Sequence, residues 1–172
     1  LLFFRAWWHE ELIAFFGGMP YVDTVLDGSQ VLTLPRLSYQ ECAKKCAEDF
    51  RAAADLLPND WDKTTVGKKT LGKNDIRITK VCALGYLGKV LLWAASPLNN
   101  LGKAEIGASK NGDTYKYNTE LAAQAADALA EAIGEVNSGK TPYALAEYKY
   151  SNIYDHVAKD GSKSNFSEIF YT

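Results

Sequence analysis

His9, Glu10 and Glu11 stand together near the start of the chain. A helix that binds catalytic zinc needs a second histidine four residues after the first, with a glutamate as base. Position 13 is Ile13, so that site does not form. Gly67-Lys68-Lys69-Thr70 has the tail of a phosphate-binding loop. The glycine required five residues earlier is missing, and so is a preceding strand. No Gly-x-Ser-x-Gly elbow is present. Cys42 and Cys46 are four residues apart in a helical pattern and stack on one face; with Cys82 they make an odd set, which is no disulfide framework. Zinc needs four ligands, and His9 and His156 are distant in sequence, so the thiols read as small core residues. Trp61, in Asn59-Asp60-Trp61-Asp62, is different in kind. An aromatic face beside hydrogen-bonding side chains suits the C–H face and hydroxyl rim of a sugar. Trp61 is therefore the candidate ligand contact, against the plainer reading of a loop tryptophan tucked onto neighbouring helices. Lys63, Lys68, Lys69 and Lys73 after it read as a solvated face. No catalytic residue, metal ligand or cofactor is expected.

The elements that position these residues are helical. The chain has 172 residues, 47% hydrophobic and 23% charged, enough for a folded core. A net charge of −2 makes nucleic acid a poor partner. Helices are predicted over about 1–16, 38–57, 76–96 and 118–137. In the first, Phe4, Trp8, Leu12, Phe15 and Phe16 form the apolar stripe, Trp7 and Trp8 both reach the core, and Gly17-Gly18 with Pro20 ends it. In the second, Ser38 and Glu41 fit a capping box, Tyr39, Cys42, Ala43, Cys46, Phe50, Ala53, Ala54 and Leu57 form the buried stripe, and Pro58 closes it. The third is apolar nearly all round, with Trp93 in the core and Gly85 and Gly88 allowing close approach of neighbours. Leu121, Ala125, Leu129, Ala132, Ile133 and Val136 line the fourth. A short helix around 144–157 and an extended piece over 166–171 are expected beyond it, and Asn111-Gly112 marks a loop. Helix starts about 40 residues apart suggest a helical repeat. The stretch from Val81 to Ala95 is too short to span a bilayer. The chain opens inside an apolar pattern without a starting methionine and reads as a segment of a longer protein.

Three stretches, in order and spacing, resemble the SusD/RagB family of bacterial outer-membrane nutrient-binding lipoproteins. The first is Arg5-Ala6-Trp7-Trp8 with Phe16-Gly17-Gly18-Met19-Pro20. The second is Leu34-Pro35-Arg36 with Ser38-Tyr39-Gln40-Glu41, Glu48-Asp49-Phe50 and Ala53 to Pro58. The third is Arg77-Ile78-Thr79-Lys80, Ala83-Leu84, Lys89 and Leu91-Leu92-Trp93-Ala94-Ala95-Ser96-Pro97. Departures are Ile76 in place of a glycine, Glu10 in place of an aromatic, and Gly85 and Gly88 in place of alanines. The resemblance implies an all-α fold of tetratricopeptide-like helical repeats with irregular loop insertions, of which residues 1–172 are one segment of a larger SusD-like domain. It implies a non-enzymatic glycan- or nutrient-binding surface lipoprotein that acts as the lid of a SusC-like TonB-dependent transporter in oligosaccharide or peptide uptake. Its membrane attachment would be a lipid anchor outside this segment. None of the family's ligand-contacting residues falls on a motif here. The alternative from the residues alone is a soluble helical-repeat adaptor that binds a protein.

Overall fold

The computed structural model describes residues 1–29, 33–100 and 116–144. Four helices follow in order: α1 (Leu2–Phe16), α2 (Tyr39–Leu56), α3 (Lys80–Ala95) and α4 (Thr119–Asn137). Two 3₁₀ turns, Trp61–Lys63 and Gly67–Thr70, lie between α2 and α3. No strand occurs among the described residues. The Asn111-Gly112 loop, the short helix expected around 144–157 and the extended piece over 166–171 lie outside the described residues, Ala144 apart. None of the described helices is long and apolar enough to cross a membrane.

The helix ends follow from local chemistry. Gly17 stops α1 with a left-handed φ of 76°, its N–H donating to Ile13 O at 3.0 Å. Gly18 has to be glycine because a Cβ there would lie 2.1 Å from Leu37 O. Arg36 covers the freed end, donating to Gly18 O at 2.6 Å and Phe16 O at 3.0 Å. At the start of α2 both halves of the capping box are made: Ser38 N–H donates to Glu41 Oε2 at 2.8 Å and Glu41 N–H to Ser38 Oγ at 3.2 Å. Ser38→Ala removes one of these partners and is expected to cost about 1 kcal/mol, read by urea denaturation; an unchanged midpoint would mean that the cap carries no stability. Helix α3 starts at Lys80, four residues later than expected, and Ile76 is exposed. The backbone of the intervening residues is committed elsewhere: Arg77 N–H turns back to Asn74 O, and Trp61 Nε1–H donates to Ile78 O.

Each helix packs on the next, and α1 also reaches α3 through Phe3 and Tyr86 and through Glu10 and Lys89. Phe50 of α2, Ile13 of α1 and Leu84 and Val90 of α3 are fully buried at the centre. Phe3, Phe50 and Tyr86 bring one ring from each of the first three helices together, with centroids 5.4–5.7 Å apart. Cys42 and Cys46 sit in this core as free thiols, as their spacing indicated.

Four side-chain expectations are corrected. On α4, Leu129 and Ile133 are exposed, and Ala128 joins Leu121, Ala125 and Ala132 on the buried face. The buried face of α1 is Phe3, Ala6, Glu10 and Ile13, while Phe4, Trp8, Leu12, Phe15 and Phe16 are exposed. The helix is apolar on two opposed sides, so periodicity offers two stripes; the side carrying small Ala6 is the one against which α2 packs closely. Trp7 packs on the core edge, and Trp8 points outward. On α3, Trp93 and Leu92 are nearly half exposed rather than core. Gly88 does meet a neighbour, Leu129 of α4, but a Cβ at Gly85 would touch nothing within 4 Å.

Candidate functional site

Trp61 heads a short polar knot between α2 and α3. Asp60 caps its turn by accepting from Asp62 N–H at 2.9 Å. Thr64 Oγ1 donates to Trp61 O at 2.7 Å and accepts from Gly67 N–H at 2.9 Å. Gly67 is buried beneath, where a Cβ would fall 1.7 Å from Trp61 O. The Gly67-to-Thr70 stretch is thus a packed 3₁₀ turn. Asn74, also buried, ties the knot by donating to Asp62 Oδ1 and Gly67 O while accepting from Thr70 Oγ1. The Trp61 indole N–H is spent on Ile78 O at 2.7 Å, and the Arg77 guanidinium lies 5.1 Å from the ring centroid. Half-buried Trp61 therefore has its one polar handle engaged and a cation over its ring. Lys63, Lys68, Lys69 and Lys73 around the knot are exposed.

His9 and the three cysteines are held within the packed structure. His9 Nδ1 is 2.7 Å from Arg5 O and Nε2 accepts from Val22 N–H at 3.2 Å, with the ring stacked on Tyr21 at 4.0 Å. Burial pushes the Cys42 and Cys46 thiols up, and the Cys82 thiol up to about 11, so none is a thiolate at neutral pH. Among the described residues no group of three or more His, Cys, Asp or Glu gathers as metal ligands would.

The strongest polar constellation joins the first two resemblance motifs. Arg5 grips Asp49 with two hydrogen bonds of 2.6 Å, and Tyr21 OH donates to the same carboxylate at 2.8 Å. Burial works to raise the Asp49 carboxyl, but the Arg5 and Tyr21 hydrogen bonds and the Arg5 charge outweigh it and hold it below the usual range. A second network joins three helices: Arg51 of α2 bonds Glu131 of α4 at 2.6 Å, and Lys80 of α3 reaches Glu131 at 3.2 Å and Glu135 at 2.7 Å. A third contact is Glu10 of α1 with Lys89 of α3, Oε1 to Nζ 2.9 Å. Sequence reading named Arg5, Asp49, Lys80, Glu10 and Lys89 without pairing them and singled out neither Glu131 nor Glu135, because the partners lie 44, 80 and 79 positions apart.

Arg5→Lys keeps the charge and loses the two-pronged grip, and is expected to cost about 1.5 kcal/mol at pH 7. Asp49 has a lowered folded pKa, so its stabilising contribution is complete above its unfolded value of about 3.9 and is lost as pH falls through the folded value. The gap between variant and wild type in urea denaturation should therefore close under acid; a gap unchanged at pH 2 would assign the loss to something other than the Asp49 contact.

Two open clefts mark the surface. One, of about 540 Å³, runs between α2 and α4 over Leu87 and Leu91 of α3, with Lys44, Glu48, Glu120, Gln124 and Asp127 on its rims. The other, of about 480 Å³, is lined by Tyr39, Trp93 and Tyr117 with Ser96 and Asn99. Neither cleft contains Trp61.

Residues 1–92 match the SusD-like family model described as "Starch-binding associating with outer membrane". No curated protein matches the chain at a significant level. Among solved structures, BT4246 superposes with a TM-score of 0.58 at 21% identity, over 80% of this chain and 23% of its own. A SusD-like protein from Bacteroides fragilis, BF3747, superposes with a TM-score of 0.55 at 19% identity, over 91% of this chain and 23% of its own. At these identities the likeness shows the fold. The chain spans about a quarter of the length of the solved structures it matches.

Proposed function

The chain belongs to the SusD-like family, and from that premise we propose that it is the helical scaffold of a surface nutrient-binding protein working without catalysis. The family is one of binding proteins, generally non-catalytic, whose description ties it to starch and the outer membrane. The intact protein, in this reading, is a lipoprotein of the outer membrane that closes over a SusC-like TonB-dependent transporter and delivers an oligosaccharide or peptide to it. Residues 1–172 are one segment of a larger domain of tetratricopeptide-like repeats. The observation that carries the reading is the family match over residues 1–92, which takes in α1, α2 and most of α3. The Arg5–Asp49 grip, the Ser38 cap and the Gly17-Gly18 stop give the first two family-like stretches a shared role of setting α1 on α2.

Physically, a lid that hands its ligand onward must release it. Binding energy shared between lid and barrel favours the closed state only if the ligand is held more tightly there than in the open one. The full-length protein should bind a soluble oligosaccharide or peptide at micromolar strength or weaker, a binding free energy of about −8 kcal/mol or smaller in magnitude, with no turnover. Calorimetry against a panel of glycans and peptides, with chromatography of the mixtures, tests this. Degradation of a panel member by the purified protein would overturn the non-enzyme reading. Trp61 enters the same experiment as Trp61→Phe. If its ring contacts the ligand through the remaining face, affinity changes while the melting temperature follows only the lost indole hydrogen bond; unchanged affinity removes it from the ligand set.

A further inference from the structure

We propose that the cleft between the start of α2 and the end of α3 is a subsite for a neutral oligosaccharide, with Trp93 and Tyr117 as its ring platform and Tyr39 and Asn99 as its hydrogen-bonding wall. The proposal rests on the nutrient-binding reading and gives this segment a ligand contact of its own, apart from Trp61. The cleft measures about 480 Å³, within the range of small-ligand sites. Trp93 and Tyr117 line it and keep 47% and 49% of their surface in water.

Tyr39 supplies the observation that points to a ligand. It lines the cleft and is only 2% exposed, yet its hydroxyl has no hydrogen-bond partner among the described residues. A buried tyrosine hydroxyl normally has one, and that of Tyr21 donates to Asp49 at 2.8 Å. Asn99 repeats the pattern. Its Nδ2 donates to Trp93 O at 3.1 Å, while its Oδ1 is without a partner. The walls are fixed by other bonds. Gln40, next to Tyr39, donates to Ala94 O at 2.8 Å and to Asn100 Oδ1 at 2.6 Å. Asn100 Nδ2 donates to Lys116 O, and Asn118 N–H to Ala95 O, both at 2.9 Å. The cleft is therefore held in shape from both sides, which lowers the ordering cost of binding.

The chemistry of the lining selects the ligand. Among the described residues no ionised side chain lines the cleft. Lys89, with Nζ 5.7 Å from the Trp93 ring centroid, is paired with Glu10 at 2.9 Å. A charged ligand would lose its water there and find no counter-charge. A sugar ring brings C–H faces for the indole and phenol rings. Its hydroxyls both donate and accept, so they can serve Asn99 Oδ1 and the Tyr39 hydroxyl alike.

The test is calorimetry of the full-length protein with maltohexaose, xylohexaose and mannohexaose, joined to hydroxyl-radical footprinting read at Trp93 and Tyr117. At least one sugar should bind and slow oxidation of both residues. Tyr39→Phe removes only the unpartnered oxygen and should weaken that sugar roughly three- to tenfold without lowering the melting temperature. Trp93→Ala should weaken it by about tenfold or more. Wild-type affinity in either variant, or binding that leaves Trp93 and Tyr117 oxidation unchanged, would overturn the subsite and leave the nutrient-binding reading standing. Protection of both residues before any sugar is added would also overturn it, because the rest of the polypeptide would then fill the cleft. Binding of none of the three sugars would overturn it too, and the peptides of the panel would then decide the nutrient-binding reading separately.

Discussion

Gly88→Leu is expected to destabilise the fold by about 3 kcal/mol, the upper end of overpacking costs, lowering the melting temperature by roughly 6–12 °C for a domain of this size. A Cβ at residue 88 would already stand 2.5 Å from Leu129 Cγ and 2.6 Å from Leu129 Cδ2. The clash is with the branch point and a terminal methyl of the leucine together, and the rest of an inserted Leu side chain must push α4 from α3. Gly88→Ala should be far milder, because partly exposed Leu129 can turn outward and the change gains about 1 kcal/mol of helix propensity. Two further variants identify the mechanism. Leu129→Ala in the Gly88→Leu background should restore most of the loss by vacating the site. Gly85→Leu, one turn away on the same helix, sets its Cβ where nothing lies within 4 Å and should leave stability unchanged or slightly raised. A Gly88→Leu protein melting within about a degree of wild type would mean that the α3–α4 seam is loosely packed.

Lys89→Met is expected to cost about 3 kcal/mol at pH 8, because removing one partner strands a buried charge. Glu10 is only 3% exposed; Lys89 Nζ lies 2.9 Å from its Oε1, and its Oε2 is buried without a partner. Burial pushes the Glu10 carboxyl up, and the Lys89 hydrogen bond and charge work against that rise without cancelling it. A raised folded pKa means that Glu10 favours the fold most below its unfolded value of about 4.3, and that this contribution is lost as pH rises through the folded value. Without Lys89 the folded value climbs further. Denaturant melts of Lys89→Met and wild type should therefore converge in acid and separate as pH rises. A gap independent of pH would show that Lys89 acts through its packing on Tyr86 and Trp93, whose ring centroids lie 5.3 and 5.7 Å from Nζ. In the double variant Glu10→Met, Lys89→Met the loss should largely disappear, since an apolar pair of similar volume replaces the ions.

The surviving expectations are those set by neighbours along the chain. Ser38 and Glu41 are three residues apart, and the cap they promise is made. Gly17-Gly18 stops α1 where a left-handed φ is needed. The fourth helix, expected from about residue 118, begins at Thr119, with Asn118 accepting from Leu121 N–H. The start of α3 was missed because its first expected turn is held by Trp61 and Asn74, 17 and 3 residues away from the atoms they bind. The candidate site was the least legible part. Trp61 was found as an aromatic among polar residues, but the donor–acceptor pair with Ile78 that engages its N–H and the Arg77 cation over its ring depend on how the knot folds.

The residue pattern by itself determined the helices, their caps and stops, and the family, because a helix is a local structure whose hydrogen bonds and apolar period span a few residues. Tertiary structure alone decided which of the two apolar sides of α1 is buried. It likewise decided that Trp93 faces outward, that Gly88 but not Gly85 lies under a neighbour, and that Glu10, Asp49 and Glu131 find Lys89, Arg5 and Arg51. Periodicity measures the contrast between two sides of a helix. In α1 and α3 both sides are apolar, so the contrast is nearly absent and the choice passes to which neighbouring helix can approach most closely.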